Sequence, residues 1–494
     1  MYLGVDFGTS FSQAATMHNG HPLVLLPSDT YGIPSEFYYK AEHGVQVGKD
    51  ALCYAEGINV KYLVSECKMK LLQRPNEVML DDRSFTYANM AKNIYCYVLH
   101  IAKNMAERKL IKTNVDGLVL TMPVRFGYQE KSLLKEAAQN CLGGTPLRVM
   151  DVLKEPVAAA IAYYKDSLDD GKTILVFDLG GGTCDVALVR SDKTQREMFT
   201  VLDDDMERVG GRDWDKALMN YISTEVEKKT GVRIIDHDYY LKQLKTMAEE
   251  IKKKLSDGFS TVANAVINMQ NGRIVQVRVT LNIFEEITYD LMTRALECLN
   301  RVYAKNSAKY KIDEIICVGG SSNMRQVRYN IKNAFPDMLV RLYEPEHAVV
   351  NGAAIYAELI HNDPTASVLS DVSVFSYGIR AYEDYDKDPN KLVIFNIVYK
   401  SSKLPTNGKH SFSTTRANQS AVDLNVFESE NTSCKFELDQ PHTHIGRVTF
   451  PLPPNARKGY SITCEMTLKG DGFLYFNAVD EAGKSVPAQF KLSK

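Results

Sequence analysis

The sequence lacks the features that mark membrane proteins, secreted proteins and nucleic-acid binders. None of its 494 residues belongs to an apolar run approaching 18 residues, which excludes a transmembrane helix. The N-terminus runs directly into a predicted strand, which is not typical of a signal peptide. Lysine and arginine number 59 against 61 aspartates and glutamates, so the net charge of −2 gives no electrostatic basis for binding nucleic acid or an anionic membrane.

Paired cysteines are also lacking. The nine cysteines are odd in number and scattered, without a C-x-x-C pair. This is typical of reduced thiols and not of a disulfide framework or a zinc site, so we expect a cytoplasmic protein. The content of 45% hydrophobic and 24% charged residues is that of a globular protein. The length allows about two to four domains.

The most informative stretch is residues 174–189, ILVFDLGGGTCDVALV. Two apolar strands flank a turn made of Gly180–Gly182 and Thr183, which predicts a β-hairpin. Glycines in such a turn allow backbone N–H groups to approach a phosphate closely. Asp178 and Asp185 stand on either side of the turn and could hold a hydrated Mg²⁺. An ordinary glycine hairpin has no need of these acids, so the pattern favours a phosphate-binding turn.

A second copy of this pattern opens the chain. In residues 2–17, YLGVDFGTSFSQAATM, a strand ends in Asp6, Gly8–Ser10 follow, and another strand begins. The corresponding acids, Asp6 and Asp178, are 178 − 6 = 172 residues apart. A repeat on this scale predicts two similar lobes, each contributing a phosphate hairpin to the cleft between them. The pair resembles the α/β actin-like ATPase fold of sugar kinases, actins and heat-shock chaperones.

The pattern changes at Asp363-Pro364. From Ser373 onward, short alternating strands are separated by NG, PPN, GDG and AG turns, which predicts an all-β sandwich. We therefore expect a nucleotide-binding domain over residues 1–365, a linker over 366–372 and a β-sandwich domain over 373–494.

Seven motifs together resemble the DnaK-type molecular chaperones, the seventy-kilodalton heat-shock family. VDFGTS, KEPVAAAIAYY, VFDLGGGTCD, VGGRDWD, VGGSSNM, EPEHAVVNGAA and ANQSAVDLNVFESE occur in the family's order, and the resemblance covers residues 2 to about 492. It implies an ATP-dependent chaperone that binds extended hydrophobic polypeptide segments. It also implies ATP and ADP as ligands, Mg²⁺ as cofactor, and slow ATP hydrolysis as a conformational switch.

The resemblance assigns residues to the nucleotide site. Lys68 matches the lysine that supports the attacking water and the γ-phosphate, and Thr183, Glu155 and Asp178 complete the implied catalytic set. The acids implied around a hydrated Mg²⁺ are Asp6, Glu155, Asp178 and Asp185. The residues implied to contact the nucleotide are Gly8, Thr9, Ser10, Phe11, Gly181, Gly182, Thr183, Glu249, Lys252, Lys253, Ser256, Gly319, Gly320, Ser321 and Asn323.

The resemblance also implies a peptide cleft in the sandwich. Its lining would be Ile379, Phe412, Val422 and Leu424, with Tyr382 and Thr415 near the positions that arch over the peptide. For Phe412, a place in the core of the sandwich is nearly as good an interpretation.

Several features depart from the family pattern. Arg212 replaces an acid after a double glycine, and Asn323 replaces an arginine that packs on adenine. Asp151 stands where the family has an arginine that engages J-domain co-chaperones, and Ser370 replaces an apolar linker residue. The sequence ends at Lys494, where the family continues into a helical lid, so we expect a lidless chaperone. Engagement of a J-domain co-chaperone or a nucleotide exchange factor is correspondingly in doubt.

Two other functions stay open. The departures at Asp151 and in the linker favour a nucleotide-gated assembly factor for one dedicated protein partner, with little turnover. A sugar or metabolite kinase is weaker, because a C-terminal peptide-binding sandwich has no place in such an enzyme.

Overall fold

The computed structural model describes residues 1–28, 30–142, 146–166, 171–191, 199–363, 372–400, 402–470 and 472–492. The predicted linker, 366–372, lies outside these residues except for Val372. The contacts divide the chain into two compact units, Met1–Val124 with Lys131–Val368, and Arg125–Glu130 with Leu369–Lys494. All nine cysteines are free. No helix of the described residues is long and apolar enough to span a membrane.

The helices belong mainly to the first unit. They are α1 (Lys49–Tyr54), α2 (Tyr87–Arg108), α3 (Tyr128–Gln139), α4 (Glu155–Asp166), α5 (Gly211–Thr230), α6 (Asp238–Ser256), α7 (Leu281–Ile287), α8 (Tyr289–Asn306), α9 (Arg325–Ala334) and α10 (Ala348–Asn362).

The strands fall into a set for each unit. Those of the first unit are β1 (Tyr2–Phe7), β2 (Phe11–His18), β3 (His21–Val24), β4 (Ile33–Pro34), β5 (Phe37–Lys40), β6 (Gly44–Val47), β7 (Leu63–Val64), β8 (Glu77–Leu80), β9 (Arg83–Thr86), β10 (Gly117–Met122), β11 (Val149–Lys154), β12 (Thr173–Leu179), β13 (Cys184–Ser191), β14 (Phe199–Glu207), β15 (Val262–Asn268), β16 (Ile274–Thr280), β17 (Glu314–Val318) and β18 (Leu339–Leu342). Those of the second unit are β19 (Ser376–Tyr382), β20 (Leu392–Val398), β21 (Thr406–Ser413), β22 (Ala421–Ser429), β23 (Lys435–Glu437), β24 (His442–Pro451), β25 (Ser461–Leu468), β26 (Phe473–Asp480) and β27 (Ser485–Lys491).

Two sheets of the first unit have the same strand order. One runs β3-β2-β1-β10-β11 and the other β14-β13-β12-β17-β18. In both, the first three strands are antiparallel to their neighbours and the last three are parallel. The glycine turns that follow β1 and β12 therefore occupy equivalent places. This is the duplication that the repeat of Asp6 and Asp178 predicted.

Helices α4 and α10 pack closely beside the first sheet. A Cβ atom on Gly352 would lie 1.7 Å from the carbonyl oxygen of Ala158, so glycine is required where the two helices meet. The packing fixes α4, whose first residue is Glu155, directly after β11. Helix α10 begins at Ala348, because Glu344 has a φ of +33° and forms a turn first.

The second unit is a sandwich of two antiparallel sheets. Their orders are β23-β20-β19-β22-β24 and β21-β25-β26-β27. Alternate residues of β25, from Ile462 to Leu468, face the shared core, as the period of two predicted. The predicted alternation in β22 is also present, since Leu424 and Val426 are buried and Asp423 is exposed.

Candidate functional site

The two glycine turns of the duplicated sheets lie against each other. A Cβ atom on Gly181 would lie 2.0 Å from Oγ of Ser10, and one on Gly182 would lie 2.8 Å from Cγ2 of Thr9. Side chains at these two positions would therefore separate the turns. The sequence predicted that both turns face one cleft because the pattern is repeated, and in the structure the two turns are in contact.

Two further glycine segments join this pair of turns. The N–H of Gly211 donates to the carbonyl oxygen of Gly180 at 3.0 Å, which seats the first turn of α5 on the second hairpin. From the turn after β17, the Ser321 hydroxyl donates to the same Gly180 oxygen at 2.9 Å. Gly319, with a φ of +80°, has no room for a Cβ beside Asp178. The result is a cradle of backbone, built from four segments that are distant in sequence.

A lysine and a carboxylate are buried beside the cradle. Lys68, in the short 3-10 turn Cys67–Lys70, is 2% exposed, and its ammonium forms an ion pair with Glu155. The same ammonium lies 5.9 Å from the ring centre of Phe7. The two lysines of residues 67–72, CKMKLL, also allow a solvated helix face, but this does not form because Lys68 is buried. Lys70 instead donates to the backbone oxygen of Ser65 at 3.1 Å.

Three more acids surround this pair. Asp6 accepts a hydrogen bond from the Thr121 hydroxyl at 2.7 Å. Asp178 and Asp185 are direct cross-strand neighbours in the β12–β13 hairpin. Asp185 also accepts from the backbone N–H of Val124 at 2.8 Å. Like charges at opposed positions repel each other, so this arrangement favours a cation nearby.

Burial raises the pKa of all four carboxyl groups. It raises the pKa of Glu155 to about 7 although Lys68 acts against it, and the pKa of Asp185 to about 6. The pKa of Asp178 is held well above its usual range by burial and then by the neighbouring Glu155 and Asp185. The pKa of Asp6 is raised by burial. The four acids therefore carry an electrostatic cost that a bound cation would relieve.

The donor set suits a hydrated Mg²⁺ better than a directly ligated metal. Within the described ranges, no three His, Cys, Asp or Glu side chains are grouped so as to hold an ion between them. Mg²⁺ commonly keeps several waters and takes one or two carboxylates together with phosphate oxygens. Buried carboxylates beside a backbone cradle fit that requirement.

The residues predicted on α6 lie around the start of α5. The Lys252 ammonium donates to the Gly211 carbonyl oxygen at 3.0 Å and pairs with Asp215 at 2.8 Å. The Ser256 hydroxyl donates to the backbone of Lys252, one helical turn away. Lys253 and Glu249 form an exposed i,i+4 ion pair on the same helix.

The rest of the predicted contacts lie at the two outer turns. Asn323, in the 3-10 turn Gly320–Asn323, donates to the Gly320 carbonyl oxygen at 3.2 Å. In the first turn Thr9 is buried, whereas Phe11 is 41% exposed. The Ser35 hydroxyl fixes this turn by donating to the Gly8 carbonyl oxygen at 2.8 Å.

One residue of the site was noticed in the sequence only as a departure. Arg212, on the first turn of α5, donates from Nε to Oγ of Ser10 at 2.9 Å. Its terminal nitrogens lie 3.3 Å from carboxylate oxygens of Glu36 and of Glu66. An arginine therefore touches the first phosphate turn, at a place where the resemblance implies an acid.

In the second unit, the predicted peptide residues divide into two groups. Ile379 and Leu424 are 1% and 3% exposed and belong to the hydrophobic core, so as placed they hold the sandwich together. Phe412 and Val422 are half-buried at the edge of that core. Phe412 packs against the core without being fully buried, and its ring lies 4.8 Å from the ring of His410.

The loops after β19 and β21 contact each other. Arg416, next to Thr415, donates from Nη2 to the Tyr385 hydroxyl at 3.2 Å. The Tyr385 ring in turn lies 5.0 Å from the ring of Tyr382, which is 38% exposed. Tyr382 and Thr415 were predicted as the arch, but the contact that joins the two loops is made by Tyr385 and Arg416. Sequence reasoning missed this pair, since their polar side chains carry no periodic signal.

Asp151, the position implied for a co-chaperone, is held by its own neighbours. Its carboxylate lies 3.9 Å from Nζ of Lys131 and accepts from the Tyr356 hydroxyl at 3.0 Å. The resemblance implies that Pro123 and Lys131 form a relay between the nucleotide and the linker, with Lys131 in place of the family's arginine. Val124, after that proline, is the residue that bonds Asp185.

Comparison with known proteins agrees with this architecture. The family model described as Hsp70 protein matches residues 55–491. The chaperone protein DnaK of Buchnera aphidicola subsp. Schizaphis graminum (strain Sg) is 28% identical over 519 residues, covering 99% of this chain and 78% of that protein. The match confirms the predicted fold class, an actin-like ATPase fold followed by an all-β sandwich.

Proposed function

The chain belongs to the Hsp70 family, and on that premise we propose that it binds extended hydrophobic polypeptide segments and uses ATP hydrolysis as a conformational switch. The general activity of an ATP-dependent chaperone follows from the family and from the DnaK relative. The observation that supports the finer proposal is the meeting of two duplicated glycine turns beside buried Lys68 and Glu155.

The proposed site would act by positioning and by charge. Backbone N–H groups of the two turns would hold the phosphates, and the buried Lys68 ammonium would stabilise charge that develops on the γ-phosphate. A Mg²⁺ held through water by Asp6, Glu155, Asp178 and Asp185 would neutralise the phosphate oxygens. The Thr183 hydroxyl, buried at the end of the second turn, would orient the attacking water.

In the second unit, we propose that the loops joined by Tyr385 and Arg416 close over an extended peptide. Backbone hydrogen bonds along a strand would give affinity for many sequences, and the half-buried Phe412 and Val422 would accept an apolar side chain. A loop contact of this kind acts mainly on the escape of a ligand that is already bound.

Arg416→Ala is expected to raise the dissociation rate of a labelled hydrophobic peptide about threefold to tenfold, with little change in the association rate. Tyr385→Phe, which removes only the hydroxyl, should reproduce part of this effect. Arg447→Ala is the matched control, because Arg447 pairs with Asp423 elsewhere on the sandwich. Unchanged peptide dissociation in both loop variants, measured by stopped-flow fluorescence, would remove these residues from the proposed arch.

The test of the proposed function is a panel of unrelated peptides. A chaperone should bind many extended hydrophobic peptides, and it should not bind polar peptides of the same length. Binding of none of them, together with tight binding of one folded protein, would instead support the dedicated assembly factor. The acid at Asp151 and the departure in the linker favour that alternative.

We expect a generic J-domain protein to stimulate ATP hydrolysis less than about twofold, because the acidic motif of such proteins would meet the carboxylate of Asp151. Asp151→Arg should raise the stimulation. Asp151→Asn removes the like charge without supplying a cation, and should give a smaller gain. Strong stimulation of the unaltered chain in a steady-state ATPase assay would contradict the inference.

A further inference from the structure

Arg212 combines three observations that point to a ligand. Its side chain is 11% exposed, and it lies at the contact between the two phosphate turns. Each of its three guanidinium nitrogens contacts a different residue, namely Ser10, Glu36 and Glu66. A guanidinium carries five N–H groups in a planar fork, which suits phosphate oxygens as well as carboxylates.

The backbone holds Arg212 close to both turns. Its own N–H donates to the Gly181 carbonyl oxygen at 2.9 Å, so the residue is anchored on the second turn while its side chain reaches Ser10 on the first. The site of a Cβ on Gly181 lies 2.0 Å from that same Ser10 oxygen. A phosphate held by the N–H groups of either turn would therefore lie next to the guanidinium.

The charges around the turns leave a need for a second cation if a polyphosphate binds. Beside the cradle, Lys68 is one cation among four buried acids, and a polyphosphate would add more negative charge. Arg212 is a permanent cation that contacts Ser10 in the first turn. One of its two carboxylate partners, Glu36, has other partners as well, since the Lys245 ammonium lies 3.4 Å from Glu36 and the Ser65 hydroxyl donates to it. Glu36 would therefore keep a partner if Arg212 turned toward a phosphate.

We propose that the Arg212 guanidinium binds a phosphate group of the nucleotide. Without nucleotide it pairs with Glu36 and Glu66, and with nucleotide bound it turns toward the phosphates. This rests on the proposed function, because it takes adenine nucleotides as the ligands of the cradle. It makes Arg212 a residue that determines selectivity by phosphate charge, at a position where the family resemblance implies an acid.

The test compares ATP, ADP and adenosine in equilibrium titrations of the full chain. Arg212→Gln should lower the affinity for ATP about 10- to 100-fold, because charge-assisted hydrogen bonds to phosphate are lost. The affinity for ADP should fall by less, and that for adenosine should hardly change. Lys228→Gln is the matched control, since Lys228 is a largely exposed cation near the end of α5 that pairs with Glu225. It should leave all three affinities within about twofold.

A second variant separates a phosphate ligand from a purely structural clasp. Glu66→Gln removes a competitor for the guanidinium and should raise ATP affinity with little effect on adenosine. If Arg212 serves only to hold the two turns together, Glu66→Gln would weaken or not change ATP binding, and Arg212→Gln would weaken all three ligands equally.

Either of those results overturns the inference while leaving the proposed function intact. If the unaltered chain binds none of the three ligands, the proposed function and this inference both fail.

Discussion

Lys68→Ala is expected to slow ATP hydrolysis by about 100-fold or more while nucleotide affinity changes less than about threefold. The reason is the position of the side chain. Lys68 is 2% exposed and paired with Glu155, beside the turns that would hold the phosphates. Those turns and the four acids remain in the variant, so binding should survive when charge stabilisation at the γ-phosphate is lost.

The variant should also remain folded. Burial already raises the pKa of Glu155 to about 7 against the influence of Lys68, so without the lysine this carboxyl can take up a proton and stay neutral. Lys70→Ala is the matched control, because Lys70 is in the same turn but binds the backbone of Ser65. Single-turnover hydrolysis measured in both variants decides between the two lysines. An unchanged cleavage step in Lys68→Ala would show that this lysine has no part in the chemistry.

Gly210→Ala is expected to lower ATP affinity about 100-fold. A Cβ atom at this position would lie 2.4 Å from the backbone nitrogen of Gly182 and 2.5 Å from the carbonyl carbon of Gly181. Neither atom belongs to a flexible side chain, so α5 would have to move away from the phosphate turn. The backbone of Gly210 is extended, with a φ of −160°, so the effect comes from the clash and not from an unfavourable conformation.

The control for Gly210→Ala is at the other end of the same helix. Gly231 has a φ of +75°, but a Cβ there meets no atom within 4 Å. Gly231→Ala should therefore cost about 1 kcal/mol of stability and leave nucleotide affinity unchanged. Isothermal titration with ATP and thermal unfolding separate the two effects. Normal ATP affinity in Gly210→Ala would show that α5 does not need to rest on the turn.

The sequence predicts those parts of the fold whose signal is local. The β12–β13 hairpin follows from an apolar strand, a glycine turn and a second strand, and the mostly apolar residues 314–318, which precede a double glycine, form β17. Of the β15–β16 hairpin, the sequence predicts a strand only over residues 275–281, where β16 lies. Its strand β15 alternates buried Ala263 and Ala265 with exposed Asn264, but small side chains make this period of two easy to overlook.

Contacts between distant residues are what the sequence could not supply. Lys68 stands 87 positions from Glu155, and the pattern around it equally allowed a solvated helix. Arg212 stands 202 positions from Ser10, so its replacement of an acid was visible but its reach to the phosphate turn was not. Lys68 depends on the packing of α4, which brings Glu155 close, and Arg212 depends on the packing of α5 against the first phosphate turn.

The most direct test of the central claim is single-turnover hydrolysis of ATP by the purified chain with Mg²⁺, with and without an excess of an extended hydrophobic peptide. We expect slow conversion of bound ATP to ADP and inorganic phosphate, with a higher rate when the peptide is present. The proposed function would be contradicted if the chain bound peptide but left ATP uncleaved under both conditions. It would also be contradicted if the phosphoryl group were transferred to an added sugar and not released as inorganic phosphate.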